Sequence, residues 1–108
     1  MIRVQWDISE AVVLLAVYME NEKITMDMLK TLSGMYNRRA NTLGIICDDK
    51  FRNISGLKMQ LACIKYVVTG GREGMPNAGQ IFYQAYDLYC NDPDAFKNIR
   101  ERFYDKFS

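Results

Sequence analysis

The fold of this chain is decided by residues 7–22, which read DISEAVVLLAVYMENE. Asp7 and Glu10 have the spacing of a capping box, in which each side chain accepts a backbone amide at the start of a helix. An unbroken apolar run, residues 11–19, follows, and a helix that is apolar on most of its faces is buried on several sides. The run contains valines that would suit a strand, but its length, its cap and its polar tail favour a helix. We therefore expect a central, buried helix near residues 8–21.

Apolar residues at spacings of three and four predict four more helices. Their expected ranges are 25–42, 56–69, 78–90 and 93–106. The capping residues that we expect are Ser55, Asn77 and Asp92, and the second helix is expected to begin at Thr25 itself. Gly44 and the pair Gly70-Gly71 are suited to end the second and third helices, because glycine readily adopts the left-handed conformation found there. The sequence thus predicts an all-α fold, a compact bundle of about five helices in one domain spanning residues 1–108.

Length and composition agree with one globular domain. The chain has 108 residues, of which 49% are hydrophobic and 25% charged, enough to bury a core without disulfide or metal staples. It has no histidine, and Cys47, Cys63 and Cys90 lie far apart with no metal-binding spacing. We expect neither a disulfide framework nor a zinc site, and no cofactor. The longest apolar run is shorter than the ~20 residues of a membrane span, and no signal-peptide pattern is present. A cytoplasmic protein with no membrane partner and no evident small-molecule substrate is expected.

Charge is unevenly distributed along the chain although the net charge is only +1. Residues 28–72 carry eight basic and two acidic side chains, whereas residues 1–27 carry two basic and five acidic ones. Residues 73–108 carry four basic and six acidic side chains. A locally basic segment attracts anionic partners, so the middle of the chain is the expected place for one.

The most distinctive stretch is Phe51-Arg52-Asn53, just before the predicted third helix. An arginine can fork onto guanine or phosphate and an asparagine can pair with adenine, so these residues suit nucleic acid. A structural interpretation is equally concrete, since Phe51 could fill the core while Arg52 and Asn53 satisfy backbone carbonyls around an irregular turn. We expect Phe51 to be buried and Arg52 to be at least partly exposed.

Three other patterns have structural interpretations that we favour over functional ones. Asp48-Asp49-Lys50 superficially suggests a metal-dependent nuclease, but a cap of a single turn explains the pair equally well. The glycine-rich loop 70–74 could form an anion nest with Arg72, although glycines with positive φ in a turn suffice. Tyrosines at positions 83, 86 and 89 are more typical of a helix–helix contact than of a base-stacking platform. No catalytic residue is predicted.

Several of these residues together resemble a known kind of module. They are Trp6 before the acidic-capped helix, Leu32-Ser33, Phe51-Arg52-Asn53-x-x-Gly56-Leu57, and the run from Thr69 to Ala78, TGGREGMPNA. From Trp6 to about Tyr89, the chain is similar to a small module at the start of bacterial restriction and defence proteins. There the module precedes HNH endonuclease, helicase or related effector domains. The endonuclease-linked modules usually have a lysine where this chain has Gln60, with Lys58 two residues earlier. The resemblance implies an accessory role in DNA metabolism or host–phage conflict.

The expected function is that of a stand-alone, non-enzymatic binding module. Its partner would be nucleic acid or a nucleic-acid-handling defence protein. The residues expected to contact it are Arg38, Arg39, Arg52, Asn53, Lys58 and Arg72. The alternative is a small phage or mobile-element inhibitor of a defence protein, of the anti-restriction or anti-CRISPR type.

The two hypotheses differ in where the basic side chains lie. A continuous patch requires the second and third helices to present their basic faces together. Replacing Arg38, Arg39 and Arg52 with alanine is then expected to weaken binding without unfolding the domain. Scattered basic side chains would favour the inhibitor.

Overall fold

Five helices form the secondary structure of residues 4–108, the part of the chain that this computed structural model describes. They are α1 (Ile8–Glu20), α2 (Met26–Thr42), α3 (Ile54–Val68), α4 (Gln80–Asn91) and α5 (Pro93–Phe107). No strand occurs within residues 4–108, so the predicted all-α fold is confirmed. None of these helices is long and apolar enough to cross a membrane.

Helix α1 lies at the centre of the bundle, as expected from its sequence. It packs against α3, α4 and α5, and the side chains from Ala11 to Ala16 are at most 2% exposed. The predicted capping box is formed, because Asp7 accepts the Glu10 amide at 3.0 Å while Glu10 accepts the Asp7 amide at 3.3 Å. A helix that is apolar on most of its faces is thus covered by other helices on several sides, as expected.

The predicted helix ends are confirmed where the signal is local. Asp92 caps α5 as predicted, with Pro93 in the first turn. Helix α2 begins one residue later than expected, because Thr25 is its cap. Gly44 and Gly70 follow α2 and α3 with φ values of 69° and 65°. Each is the kind of left-handed residue that closes a helix C-terminus.

Two of the predicted caps, Ser55 and Asn77, are wrong. Asn53 caps α3, with its Oδ1 accepting the Gly56 amide at 2.8 Å, so this helix begins two residues earlier than expected. Helix α4 begins only at Gln80, after Gly79, and has no side-chain cap. The preceding loop stays pinned to α3 by a hydrogen bond from the Met75 amide to the Ala62 carbonyl. Helix α4 therefore begins later in the sequence than expected.

Ion pairs join parts of the chain that are distant in sequence. Arg39 contacts Asp7 at 2.6 Å and Arg52 contacts Glu10 at 2.8 Å. Both pairs bring the basic middle of the chain against the acidic start, where α1 begins. Two of the basic side chains in the middle of the chain are thus neutralised by carboxylates within the fold.

Candidate binding cleft

Arg52 lies at the centre of a network that joins three segments of the chain. Its Nε and Nη2 donate to Glu10 Oε2 and Oε1 at 2.8 and 3.1 Å, and Nη2 also donates to the Gln5 carbonyl at 3.2 Å. The guanidinium carbon lies 4.3 Å from the Trp6 ring centroid and 4.4 Å from that of Phe51. The guanidinium is therefore held between two aromatic rings, with a carboxylate at its edge.

This arrangement decides the role of the Phe51-Arg52-Asn53 stretch. Phe51 is 8% exposed, which confirms its predicted burial. Arg52 keeps partial exposure as a whole residue, as expected, but its side chain is only 8% exposed and that of Glu10 only 3%. Because its donors point to Glu10 and to backbone carbonyls, the guanidinium is an anchor of the fold and is not directed toward solvent.

A cleft of about 880 Å³ opens beside this anchor. Its border is formed by residues 4–6, the turn before α3, the first two turns of α3, and the loop and first turns of α4. Three segments that are far apart in sequence thus meet around one concave surface. Concave surfaces of this size are where proteins most often bind ligands.

Carboxamide side chains dominate the polar lining of the cleft. They are Gln5, Asn53, Gln60, Asn77, Gln80 and Gln84. The charged residues of the lining are Asp48, Lys50 and the already paired Arg52. Met59, 51% exposed, adds a flexible apolar surface on the α3 side. The cleft therefore offers many hydrogen-bonding groups and little net charge.

Two helices, α3 and α4, begin at the border of the cleft. Asn53 and Gly56 line it from the start of α3, and Gly79 and Gln80 line it from the start of α4. The first amides of a helix lack intrahelical partners and carry a partial positive charge. One of those of α3 is satisfied by Asn53, whereas α4 has no side-chain cap. This end of the cleft is thus rich in amide donors.

The structure separates the six predicted contact residues. Arg52 and Asn53 border the cleft. Arg38 donates to the Phe107 carbonyl at 2.8 Å, at the end of α5, where a helix favours a cation. Arg39, with a side chain 16% exposed, is paired with Asp7. Lys58 and Arg72 are exposed but are not part of the cleft lining. The six residues therefore do not surround one site.

Sequence patterns had given little notice of the carboxamides. Gln80 and Gln84 are four residues apart, the spacing of neighbours on one helix face, and this signal could have been found. Gln60 stands out only as a departure from the lysine of similar modules. Gln5 and Asn77 join the others through tertiary folding alone, because the local pattern marks Asn77 only as a helix cap and does not mark Gln5.

The other three patterns have the local geometry of turns and helix contacts. Asp48 Oδ1 accepts the Lys50 amide at 3.0 Å, and no metal-binding group of three or more ligands occurs within residues 4–108. In the glycine loop, Gly70, Gly71 and Gly74 all have positive φ. On α4, the Tyr89 ring packs edge-on against Phe96 of α5 at 5.3 Å. The Asp48 contact is that of a local turn, and the Tyr89 contact is the kind of helix–helix contact predicted for the tyrosines.

Comparisons with protein families, with curated proteins and with solved structures find no match to this chain. The chemistry of the cleft itself therefore carries the functional proposal.

Proposed function

We propose that this chain is a non-enzymatic binding module that holds a protein partner in the carboxamide-lined cleft. One observation carries the proposal: six carboxamides and the exposed Met59 surround a concave surface with little net charge. Each carboxamide provides both donors and an acceptor, and methionine adapts to irregular apolar surfaces. Such a lining matches the neutral polar and apolar groups of a protein surface.

The internal contacts of the arginines favour a protein partner over a phosphate backbone. Nucleic-acid affinity comes largely from exposed lysines and arginines that neutralise phosphates. Arg39 and Arg52 are instead paired with Asp7 and Glu10, and Arg38 contacts the end of α5. Of the predicted basic contact residues, this leaves Lys58 and Arg72, beside the exposed Lys30, Lys50 and Lys65 of the same segment.

The resemblance to restriction-associated modules suggests the class of partner. We propose a protein that handles nucleic acid in bacterial defence or in DNA metabolism. A small inhibitor of the anti-restriction or anti-CRISPR type would bind in the same manner, because it too acts by covering a surface of another protein. Both versions place the partner in the same cleft.

Nucleic acid is the second candidate, favoured by the two helix starts and Lys50 at the cleft border. Helix N-termini bind phosphates through their free amides. The two candidates differ in salt dependence, because each neutralised phosphate contributes about 0.9 to the slope of log affinity against log salt on duplex DNA. A largely neutral protein contact would show a shallow slope.

The experiment is affinity capture from the native host lysate, with and without nuclease treatment. We expect a protein that remains bound after nuclease treatment and is lost with Met59→Arg, which places a charge on the exposed apolar border of the cleft. Met26→Arg is the matched control, because Met26 is 47% exposed and lies outside the cleft lining. Capture of nucleic acid alone, or full capture by the Met59→Arg variant, would contradict the proposal.

A further inference from the structure

We infer that the cleft recognises the main chain of an extended segment of its partner, through Gln60, Gln80 and Gln84. The inference rests on the proposed function, because it requires a protein partner. Beyond that function, it requires the partner to present a short stretch of chain whose peptide groups are free to hydrogen-bond.

The carboxamide side chains of the cleft are chemically complementary to peptide groups. A peptide group presents one N–H donor and one C=O acceptor. A carboxamide presents the same two kinds of group without charge, so one glutamine can both donate to and accept from a peptide. The three glutamines are at least partly exposed and line the cleft together. They can therefore replace the water that an extended segment loses on binding.

The spacing of the glutamines on α4 matches the repeat of an extended chain. Gln80 and Gln84 stand one turn apart on α4, which separates them by about 6 Å along the helix axis. Alternate residues of an extended chain repeat every ~6.6 Å and face the same side. Successive peptide groups on one side of the segment can thus meet Gln80 and Gln84. Gln60 lies on α3 and can reach the segment from the other wall.

The aromatic residues of the cleft favour a peptide over a nucleotide. Bases bind single-strand sites by stacking on open aromatic faces. The aromatic residues of the cleft lining are Trp6, Phe51 and Phe82. The Arg52 guanidinium lies over Trp6 and Phe51, and Phe82 is 2% exposed. Asp48 and Lys50 are both exposed in the same lining, so their charges offset and provide no net positive charge for phosphates.

We expect the bound segment of the partner to be short and uncharged. The first two turns of α3 and α4 that line the cleft extend for about 10 Å, the length of about three extended residues. Met59, Ile81 and Cys47 are apolar residues of the lining that are at least partly exposed. We expect the segment to place small apolar or neutral polar side chains against them.

The test uses a seven-residue peptide selected on the intact protein from a random display library. It is synthesised in its natural form and with alternate backbone amides N-methylated, which removes donors while keeping the side chains. We expect N-methylation of one of the two alternating sets to weaken binding at least tenfold. The side-chain NH₂ signals of Gln60, Gln80 and Gln84 should shift with the natural peptide in a ¹⁵N-correlated spectrum. Those of Asn41 and Asn98, exposed residues outside the cleft lining, should not.

Side-chain replacement supplies the second measurement. Gln80→Ala and Gln84→Met should each weaken binding of the selected peptide about five- to tenfold. The circular dichroism spectrum should stay unchanged, because both residues are exposed. Asn98→Ala should bind as the original protein does. Equal binding of both N-methylated forms, unmoved glutamine signals, or unaltered binding by the Gln80 and Gln84 variants would overturn the inference. So would failure to select any peptide, or displacement of the peptide by a twelve-residue oligothymidine.

The outcomes distinguish the two proposals. If Met59→Arg abolishes capture of a host protein but N-methylation has no effect, the protein partner stands and main-chain recognition is wrong. If Met59→Arg also leaves capture intact, the cleft itself is not the binding surface.

Discussion

Arg52 is the residue on which the geometry of the cleft depends. It is the only residue other than glycine with positive φ in the part of the chain that the structure describes, at 49°. This conformation is costly for a residue with a side chain and persists only where surrounding contacts enforce it. The bidentate contact to Glu10 and the two flanking rings supply that enforcement. The turn before α3 is thus held against the start of α1.

Replacing Arg52 with methionine should therefore destabilise the protein severely. Glu10 would remain buried without its partner, and breaking a buried ion pair in this way costs about 3–5 kcal/mol. Urea unfolding measures the loss. Arg102→Met, at an exposed position of α5, is the control and should change stability by about 0.5 kcal/mol or less. The double variant with Glu10→Gln should recover part of the loss; a shift for Arg52→Met no larger than the control's would contradict this account.

Tyr36 should make stability sensitive to alkaline pH. Its hydroxyl donates to the Glu10 carbonyl at 2.7 Å. Burial, with a further contribution from Glu10, raises the pKa of Tyr36 well above its ordinary value of 10.0. A group whose pKa is raised by folding contributes stability that is complete below its unfolded pKa. That stability is lost as pH rises from about 10 toward the folded pKa.

The variant Tyr36→Phe tests this expectation. At pH 7 it should lose about 1 kcal/mol with the hydrogen bond. Above pH 10 its unfolding free energy should fall less steeply than that of the original protein. Some slope should remain, because burial also raises the pKa of Tyr104. Parallel curves of unfolding free energy against pH for the two proteins would refute a role of Tyr36 in the alkaline loss.

At the level of elements, the path of the loop after α3 determines where α4 begins. Gly74 has φ 90°, and a Cβ there would lie 2.3 Å from the Ala62 carbonyl oxygen and 2.6 Å from the Tyr66 nitrogen. Only a residue without a side chain lets the loop lie so closely on α3. Contact with the α3 backbone holds residues 74 and 75, and Asn77 follows at the cleft border.

Gly74→Ala should therefore lift the loop from α3. Gly70→Ala is a closely matched control, because Gly70 belongs to the same loop with φ 65° but a Cβ there meets nothing within 4 Å. We expect Gly70→Ala to cost about 1 kcal/mol from backbone strain alone. Gly74→Ala should cost more and should also accelerate hydrogen exchange at the Met75 amide, which Gly70→Ala should leave protected. Equal unfolding midpoints for the two variants would show that the close approach is unimportant.

The elements also show which features could be predicted from the sequence. The caps of α1 and α5 need only residues within three positions of one another, so the sequence predicts them correctly. The start of α4 depends on a loop docked on another helix, so local capping signals could not locate it. The role of Arg52 depends on Glu10, 42 residues away. Its partner became visible only once α1 and the turn before α3 were brought together.

For the whole molecule, charge placement follows from how the segments pack. Arg39 and Arg52 form ion pairs with Asp7 and Glu10 around the start of α1. The basic middle of the chain therefore packs against the acidic start. The expectation that Arg38, Arg39 and Arg52 can be replaced together without unfolding assumes that all three side chains are exposed, and two of them are not. The Arg39 and Arg52 side chains are only 16% and 8% exposed. That triple alanine variant would remove structural contacts along with charge.

A better test of the basic surface replaces Lys30, Lys58 and Arg72, which lie outside the cleft lining, with alanine. All three are exposed, and exposed substitutions usually change stability by about 0.5 kcal/mol or less each. This variant should stay folded, whereas the triple alanine variant of Arg38, Arg39 and Arg52 should lose at least the ~3 kcal/mol of one broken buried pair. If the partner is a protein held by the cleft, the folded variant should capture it nearly as well as the original, with a shallow salt dependence. Loss of capture with a folded chain, together with a salt slope reduced by about two or three units, would instead assign binding to the basic side chains and to nucleic acid.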